Sequence, residues 1–474
     1  MHNAKFARLI KNLSHYDPSK RRSAAEALSE GDERAVYPLI KALRDDNLGV
    51  QDAATHSLMA IKNEVTAYMM LPLLREDSYL RNTALIILRE MGNFTIPLLI
   101  VLLNDKDDDV RKFAINLICD IQYCNYPDKL VEMLKNDPNA NVRAAAAKTL
   151  GVLNYKKAIP QLVNALKDDE WVCFSAIEAL TVLKDEDSID SIVKLLDNPS
   201  EAIRFAAIEA LGKIGSPRAE HPLLEHISSA DEFERKATVI SLVQVGTIPS
   251  SSNISADLIE MLKNGDWEEK FIAIKGLLLL REDRAIYHMI DIAGSMEFSV
   301  PDREEKIQVI KEAVFSFGCN DYLLKILEDD TFRYRGKSLA IEIVGDLKCS
   351  VAVPNLIKLV KSNYRDIKRA SINSLCQMES EEAKECLIEA VSNEDSHVRK
   401  SAIIALGKIA EMSAFEPLMK LLQNEIYNDI IDEYIKSLLS MNSTLFFSRI
   451  SGFNKNIQEI AARYTSSYNS ERKC

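Results

Sequence analysis

The sequence contains no Gly-x-Gly motif, although it has 15 glycines, and none of its 8 cysteines are spaced as Cys-x-x-Cys. The common nucleotide-binding loops need closely spaced glycines where the backbone approaches a phosphate, so the sequence disfavours them. Zinc ribbons and dithiol redox sites need paired cysteines and are not predicted either. Isolated cysteines such as Cys119 and Cys376 fall at apolar positions, where a free thiol packs as a small hydrophobic group. This usage fits a reducing compartment.

Long apolar runs are also missing. The longest spans residues 96–103, which is too short to cross a bilayer. The amino-terminal segment MHNAKFARLIKNLSHY is amphipathic and lacks the apolar stretch of a secretory signal. We therefore expect a soluble, cytoplasmic protein with no membrane partner.

Positive charge is in the minority. Lysine and arginine total 59 against 71 acidic residues, which gives a net charge of −12. Proteins that bind nucleic acid usually gather Lys and Arg on one face, whereas here the only short basic cluster, residues 20–22, lies inside a repeated segment. Nucleic acid is therefore a disfavoured partner, although a local basic groove on an acidic body stays open.

What the sequence does contain is a phrase, AIRFAAIEALGKIG at residues 202–215, that recurs in degraded form along the whole chain. We call the residue equivalent to Arg204 the anchor of each repeat. Neighbouring anchors are 30 to 37 residues apart, and most are 30 or 31 apart; they are Arg21, Gln51, Arg81, Arg111, Arg143, Cys173, Arg204, Arg235, Lys270, Ile307, Lys337, Lys368, Arg399 and Asp432. A sustained period of this length predicts stacked supersecondary units rather than one globular core.

Each repeat has the pattern of two helices. Prolines such as Pro160 and Pro354 stand near the start of the first, where a missing N–H costs nothing. Asp often stands four residues before the anchor, at the entry of the second, where it can cap free amides. Asp can also pair with an anchor of the same or the next repeat, which predicts a structural ladder of charge rather than a catalytic set. The ladder residues are Arg21, Arg81, Arg111, Arg143, Arg204, Arg235, Lys270, Lys337, Lys368 and Arg399.

Domain boundaries follow from the same period. Residues 1–442 form the repeat array, and the two long steps, near 248–255 and 294–302, are expected to be inserted loops or hinges. Residues 443–464 are predicted to form a capping helix, and the polar tail 465–474 is predicted to be disordered.

The phrase D-x-x-x-R-x-A-A-x-x-A-L-G-x-I-G, with its period of 30–31 residues, resembles the HEAT repeat, and specifically its phycobilisome-lyase HEAT-like subtype. The resemblance covers residues 1–442. It implies an all-α fold, a right-handed α-solenoid of about fourteen two-helix repeats.

The resemblance does not predict an enzymatic activity. Deoxyhypusine hydroxylases, which are HEAT-like, hold a di-iron site with His-Glu pairs, but none of the 7 histidines here is followed by Glu. His221 and His226 are expected on the surface of a first helix. Phycobilin lyases share the repeat, yet no catalytic residue can be carried over from them. We predict no catalytic, cofactor-binding or metal-binding residue and no cofactor.

A partner surface is predicted on the second helices, which usually line the concave side of such solenoids. Residues one and five places after the anchor should share an exposed face. Most are polar, but aromatic residues interrupt the middle of the stripe, and we predict a partner-binding site at Trp171, Phe174, Glu178, Phe205, Glu209, Trp267 and Phe271. The alternative is that these aromatics pack between repeats. Glu178 and Glu209 would favour a basic or helical peptide.

The function predicted from the sequence is therefore a non-enzymatic scaffold or adaptor that binds another protein. The resemblance implies a bacterial regulatory or signalling setting. The alternatives are an accessory factor for a cofactor- or chromophore-handling enzyme, on the lyase pattern, and a nucleic-acid-binding HEAT protein.

Overall fold

The computed structural model describes residues 3–248, 254–378 and 380–471 of the 474-residue chain, with side chains described up to residue 464. Within these ranges the regular structure is entirely helical, with 29 α-helices and no strand. The chain divides into two compact units, Met1–Val245 and Gly246–Cys474. The prediction of an all-α solenoid is confirmed.

The first unit contains α1 to α16: Asn3–Asn12, Pro18–Ala27, Val36–Ala42, Leu48–Ala60, Glu64–Met70, Ser78–Met91, Ile96–Leu103, Asp108–Ile121, Pro127–Asn136, Ala140–Val152, Ile159–Ala165, Glu170–Leu183, Ile189–Val193, Glu201–Ile214, Glu220–His226 and Glu232–Val245. The second contains α17 to α29: Ser255–Asn264, Trp267–Leu279, Ala285–Ser295, Arg303–Phe317, Asp321–Glu328, Tyr334–Asp346, Val353–Leu359, Arg365–Leu375, Glu381–Ala390, Ser396–Ile409, Phe415–Leu422, Asn428–Arg449 and Lys455–Glu471. Short 3-10 helices lie at Leu28–Glu30, Glu33–Ala35, Leu71–Arg75, Gly92–Thr95, Lys156–Ala158, Lys194–Asp197, Pro217–Ala219, Ser350–Ala352, Met412–Ala414 and Ile450–Gly452.

Odd-numbered and even-numbered helices alternate as the first and second helices of fourteen repeats, α1–α2 through α27–α28. Asp17 and Asp107 cap α2 and α8 through their side chains, as the spacing predicts. Pro97 and Pro160 lie in the first turns of α7 and α11. Local sequence signals therefore fix where most helices begin.

The structure corrects one anchor. In the regular repeats the anchor N–H donates to the carbonyl four residues back, as Arg204 does to Ser200. In the last repeat this bond is made by Ile431 to Tyr427, and the residues three, six and seven places after Ile431 are buried, as they are after Arg204. Asp432 therefore lies one residue past its anchor position.

Neighbouring even-numbered helices approach closely through small residues. Gly151 lies eight residues after its anchor, and a Cβ there would stand 2.7 Å from the Cα of Ala179 in α12. Gly212, Gly345 and Gly407 hold the equivalent position in their repeats. Only glycine allows these backbones to pack at this distance.

Buried hydroxyls join the same helices. A Ser or Thr six residues after the anchor donates to the carbonyl four residues after the preceding anchor, across a distance of 2.8 to 3.5 Å. Each bond satisfies a hydroxyl that would otherwise be buried without a partner. The pairs are Ser57 to Ala25, Thr149 to Ile115, Ser241 to Ile208, Ser374 to Ile341 and Ser437 to Ile403.

The carboxyl-terminal expectation needs correction. Instead of one capping helix over 443–464, α28 continues past a kink at Asn442 to Arg449, and α29 begins only at Lys455. Asn442 has non-helical dihedrals (φ −159°, ψ 92°), and its side-chain oxygen accepts from the Leu445 N–H at 2.9 Å, as the cap of the helical segment that follows the kink. The backbone of α29 is helical to Glu471, whereas the sequence predicted a disordered tail from residue 465 onward. Residues 472–474 lie outside the described part of the chain.

The two long steps differ in what can be described. Residues 296–302 form a loop between α19 and α20. Of the segment near 248–255, residues 249–253 lie outside the described residues, and the boundary between the compact units falls just before it, at Val245 and Gly246. Cys319 and Cys349 are joined by a disulfide between the ends of α20 and α22, although the cysteine usage was expected to fit a reducing compartment.

One stretch, Ser78–Leu103, is long and apolar enough to cross a membrane by length and composition. In the fold it is two helices, α6 and α7, separated by the 3-10 turn at Gly92–Thr95. Both helices bury leucines in the core of their repeats, and this packing accounts for their apolar character.

Candidate protein-binding groove

The anchor arginines make two sets of contacts at once. The Arg143 guanidinium donates to the backbone carbonyls of Asp137 and Pro138, at 2.9 and 3.3 Å, in the turn before its own helix. It also forms a two-pronged pair with Asp168 of the next repeat, at 2.7 and 2.8 Å. Arg21, Arg111 and Arg399 do the same with Asp45, Asp137 and Glu425. A rung of the ladder therefore joins a turn, a helix and the following repeat.

Two of the rung carboxylates are favoured in their ionised form. Hydrogen bonds from Arg143 hold the pKa of Asp168 below its usual range. Burial opposes ionisation of Asp137, but the hydrogen bonds from Arg111 and the Asn139 backbone outweigh it, and the pKa of Asp137 is also lowered. Asp168 and Asp137 therefore stay charged at neutral pH.

The other predicted ladder residues are less uniform. Arg81 contacts the Leu74 carbonyl and Asp109, Arg235 contacts the Ile227 carbonyl, and the Lys270 ammonium contacts the Gly265 carbonyl. Lys337 is buried near Asp330, and Lys368 is half-buried. Cys173, which replaces the arginine in repeat six, donates from its thiol to the Leu166 carbonyl at 3.2 Å.

A variant rung in repeat seven corrects the placement of His226. Arg204 pairs with Glu234 at 2.7 Å, and the His226 Nε2 atom lies 3.3 Å from the other Glu234 oxygen. The side chains of His226 and Glu234 are 8% and 5% exposed, so His226 is buried rather than on the surface as predicted. His221 is exposed, as predicted.

A groove opens where the close packing of second helices is interrupted. In α12 the position eight residues after the anchor is Thr181, where α10 and α14 have glycine. In α14 the position six residues after the anchor is Ala210, which cannot donate a hydrogen bond to α12. The interface between α12 and α14 therefore has neither the glycine nor the buried hydroxyl bond described above. The space left there is a groove of about 880 Å³.

The groove collects four of the predicted partner-binding residues. Phe174 and Phe205 are half-buried in it, and Glu178 and Glu209 stand exposed at its edge. Its remaining lining residues are Ile177, Thr181, Val182, Ser200, Glu201, Ala202, Ala206, Ala210 and Lys213. The phenylalanines are thus neither fully in the core nor fully in solvent, and they form an apolar surface that a ligand can reach.

The rim of the groove is mainly acidic. Glu209 forms an ion pair with Lys213 at 2.8 Å, whereas Glu178 and Glu201 have no ion pair within the described residues. Trp171, predicted to belong to the site, does not line the groove. It lies one turn before Phe174 on α12 and is 72% exposed.

The remaining two predicted residues belong to the second unit. Trp267 and Phe271 lie on α18 and are half-buried. The Lys306 ammonium lies 5.5 Å from the centre of the Trp267 ring, and the Lys275 ammonium lies 4.3 Å from that of Phe271. These are cation–π contacts within the protein. The residues grouped from the sequence therefore occupy different environments: Phe174 and Phe205 line the groove, whereas Trp267 and Phe271 contact lysines of the second unit.

Sequence reasoning missed the apolar floor of the groove. Ile177, Val182 and Ala206 line it, although they lie outside the positions chosen for the exposed stripe. One signal was available in the sequence. The residue eight places after the anchor is glycine in α10 and α14 but threonine, Thr181, in α12. Among the described residues, no group of three or more His, Cys, Asp or Glu could hold a metal ion.

Known proteins resemble this chain only distantly. No curated protein gives a significant match. Among solved structures, the chain is similar to one of Kap95p with RanGDP (TM-score 0.48, 14% identity, covering 97% of this chain and 74% of that one). It is also similar to importin beta (0.45, 12%, 97% and 75%). A third is the CpcE–CpcF complex of phycocyanin lyase from Nostoc sp. PCC7120 (0.32, 21%, 52% and 94%). Similarity at these TM-scores does not bear on what this chain binds.

The family models are decisive. The model described as HEAT repeats matches residues 6–89, 127–180, 172–243 and 353–438, which together cover more than half of the chain. A second HEAT-repeat model matches residues 95–124. The matched segments include the α12–α14 groove and the best-formed rungs of the ladder. With this repeat sequence and these stacked helix pairs, the chain belongs to the HEAT-repeat family.

Proposed function

We propose that the chain is a non-enzymatic scaffold that binds a partner protein, and that the groove between α12 and α14 receives an apolar segment of that partner with basic residues beside it. The observation that carries this proposal is the combination of an apolar floor with an acidic rim in one groove. The partner's identity is left to experiment.

The apolar floor supplies affinity and the rim supplies selectivity. Phe174 and Phe205 present aromatic surface, and covering such surface is the main source of binding free energy at protein interfaces. Glu178 and Glu201 are exposed and unpaired in the described part of the chain, so a lysine or arginine placed beside them gains a charge partner. Acidic segments are repelled by the same groups.

We assign the repeats to the phycobilisome-lyase HEAT-like subtype on their phrase and their 30–31-residue period. An adaptor of this kind suits a bacterial regulatory or signalling assembly. The lyase-like alternative, an accessory factor that handles a chromophore, predicts that a purified preparation is coloured. A colourless protein that binds the peptide described below favours the scaffold.

The two tryptophans of the chain provide a direct test. In a Trp267→Phe background, Trp171 is the only tryptophan, and it stands one turn from Phe174. The probe is a synthetic amphipathic helix of leucine and lysine, titrated while Trp171 emission is recorded. We expect saturable binding with a blue shift, and much weaker binding of a leucine–glutamate peptide of equal length.

Variants separate groove binding from general charge attraction. Phe174→Ala with Phe205→Ala should weaken binding by about tenfold or more. Glu178→Lys with Glu201→Lys should do so without touching the packed core, which covers the case in which the aromatic variant unfolds. Tyr37→Ala, at a residue 57% exposed on α3, is the matched control and should bind normally. Equal binding by all these variants would sink the proposal.

A further inference from the structure

The rung of Lys337 lacks its carboxylate. In the complete rungs, the acid that pairs with the anchor lies 24 to 30 residues further along the chain. For Lys337, the anchor of repeat eleven, positions 24, 25 and 26 residues further on are Lys361, Ser362 and Asn363. Ser362 holds the position of Asp45: each lies six residues before the next anchor, and each accepts from the backbone N–H two residues on, that of Asn47 or of Tyr364. Its neighbour Lys361 adds a second cation beside the empty carboxylate position.

Lys337 is nevertheless buried. Its side chain is 4% exposed, and the one carboxylate within ion-pair distance is that of Asp330, at 3.7 Å, whose own side chain is 85% exposed. An ammonium taken out of water without a close counter-charge is costly. Burial lowers the pKa of Lys337, while Asp330 and Asp329 act against this effect.

Further cations face the same space. A groove of about 700 Å³ is lined by Lys337, Lys358 and Lys361, together with the polar residues Ser362 and Asn363. Lys358 and Lys361 are exposed and have no carboxylate partner in the ranges that the structure describes. The rings of Tyr334 and Tyr364 stack at 5.8 Å, with an 8° angle between their planes, and contribute to its wall.

We propose that this groove binds a phosphate group, which takes the place of the missing rung carboxylate between Lys337 and Lys361. Three ammonium groups against one exposed carboxylate favour a doubly charged oxyanion over a singly charged one. The Ser362 hydroxyl and the Asn363 amide add neutral donors. The site lies in the second unit and does not depend on the function proposed for the α12–α14 groove.

The test measures binding of inorganic phosphate by calorimetry, and the thermal midpoint in millimolar phosphate at ionic strength held constant with sodium chloride. A second arm uses a phosphoserine peptide, and tighter binding of that peptide would place the phosphate on a partner protein. Sodium acetate serves as the singly charged anion. We expect wild-type protein to bind phosphate more tightly than acetate, and its midpoint to rise in phosphate.

The decisive variant restores the missing rung. Ser362→Asp places a carboxylate at the position of Asp45 in the first rung, so it should raise the midpoint without phosphate and weaken phosphate binding by about tenfold or more. Lys337→Met removes the buried charge, and it should abolish the phosphate response while the protein stays folded. Lys157→Asp, at an exposed lysine of the first unit, is the control and should respond as wild type does. Absence of phosphate binding by wild type, or equal binding by Ser362→Asp, overturns the proposal.

Discussion

Arg111 contacts groups from two repeats, and this double role sets its energetic weight. It donates to the carbonyls of Asp105 and Lys106 before its own helix and to both carboxylate oxygens of Asp137 beyond it. The side chains of Arg111 and Asp137 are 12% and 5% exposed. If either is removed, water can therefore replace few of the hydrogen bonds that the remaining partner loses. Rung arginines are therefore structural residues, in contrast to the exposed ion pairs on the same helices.

Arg111→Met should lower the free energy of unfolding by about 2–4 kcal/mol, because Asp137 is left buried without its partner. Chemical denaturation followed by circular dichroism measures this loss. Arg89→Met removes an ion pair with Asp120 at the same 2.8 Å distance but with side chains 68% and 44% exposed, and it should cost at most about 1 kcal/mol. Equal losses in the two variants would show that burial does not set the value of a rung.

At the scale of helices, the closest packing between second helices depends on small residues. Glycine eight residues after the anchor lets the next second helix approach in four repeats, and a Ser or Thr six residues after the anchor reaches a carbonyl across the interface in five. Thr181 and Ala210 lack these properties, and the α12–α14 groove lies between two interfaces that have the glycine.

Gly151→Ala should destabilise the protein by about 1–3 kcal/mol, because the new methyl group would meet the backbone of Ala179 at 2.7 Å. The matched control is Gly49→Ala in α4, where the nearest atom is a side-chain oxygen of Asn47 at 3.1 Å. Stability should change there by less than about 1 kcal/mol. A Gly151 variant as stable as the control would argue against close backbone packing between α10 and α12.

These contacts also show how far the sequence leads. The period, the helix starts and the groove phenylalanines follow from local patterns, since caps and apolar spacing are encoded by adjacent residues. The register at Ile431 does not, because a variable loop precedes it and the hydrogen bond to Tyr427 fixes it. Trp267 and Phe271 were grouped with Phe174 by sequence position, but their lysine contacts depend on which helices pack together.

At the scale of the whole chain, the stabilising contacts are made between adjacent repeats. Within the first unit, helix contacts, buried hydroxyl bonds and rungs all connect a repeat to the one before or after it. A solenoid of this kind is expected to transmit a local perturbation over a short distance only.

Hydrogen exchange followed by mass spectrometry tests this expectation. In the Gly151→Ala variant, amides of α10 and α12 should exchange fastest relative to wild type, those of α8 and α14 less so, and those of α2 least. The Gly49→Ala variant should show no such gradient around α10. A uniform rise over the whole first unit would instead indicate that its repeats open together as one cooperative block.

The rungs have a consequence for how such a chain changes length. Each rung joins two repeats, with the cation in one and the carboxylate in the next. A repeat that is copied in tandem therefore offers a carboxylate to the repeat before it and a cation to the repeat after it. Duplication or loss of a whole repeat therefore leaves no buried charge unmatched within an array of complete rungs. Repeat twelve, which carries Ser362 in place of the acid, breaks this rule. Copying it behind an arginine anchor would leave that arginine without its carboxylate and with Lys361 nearby, which makes this junction a poor place for the array to grow.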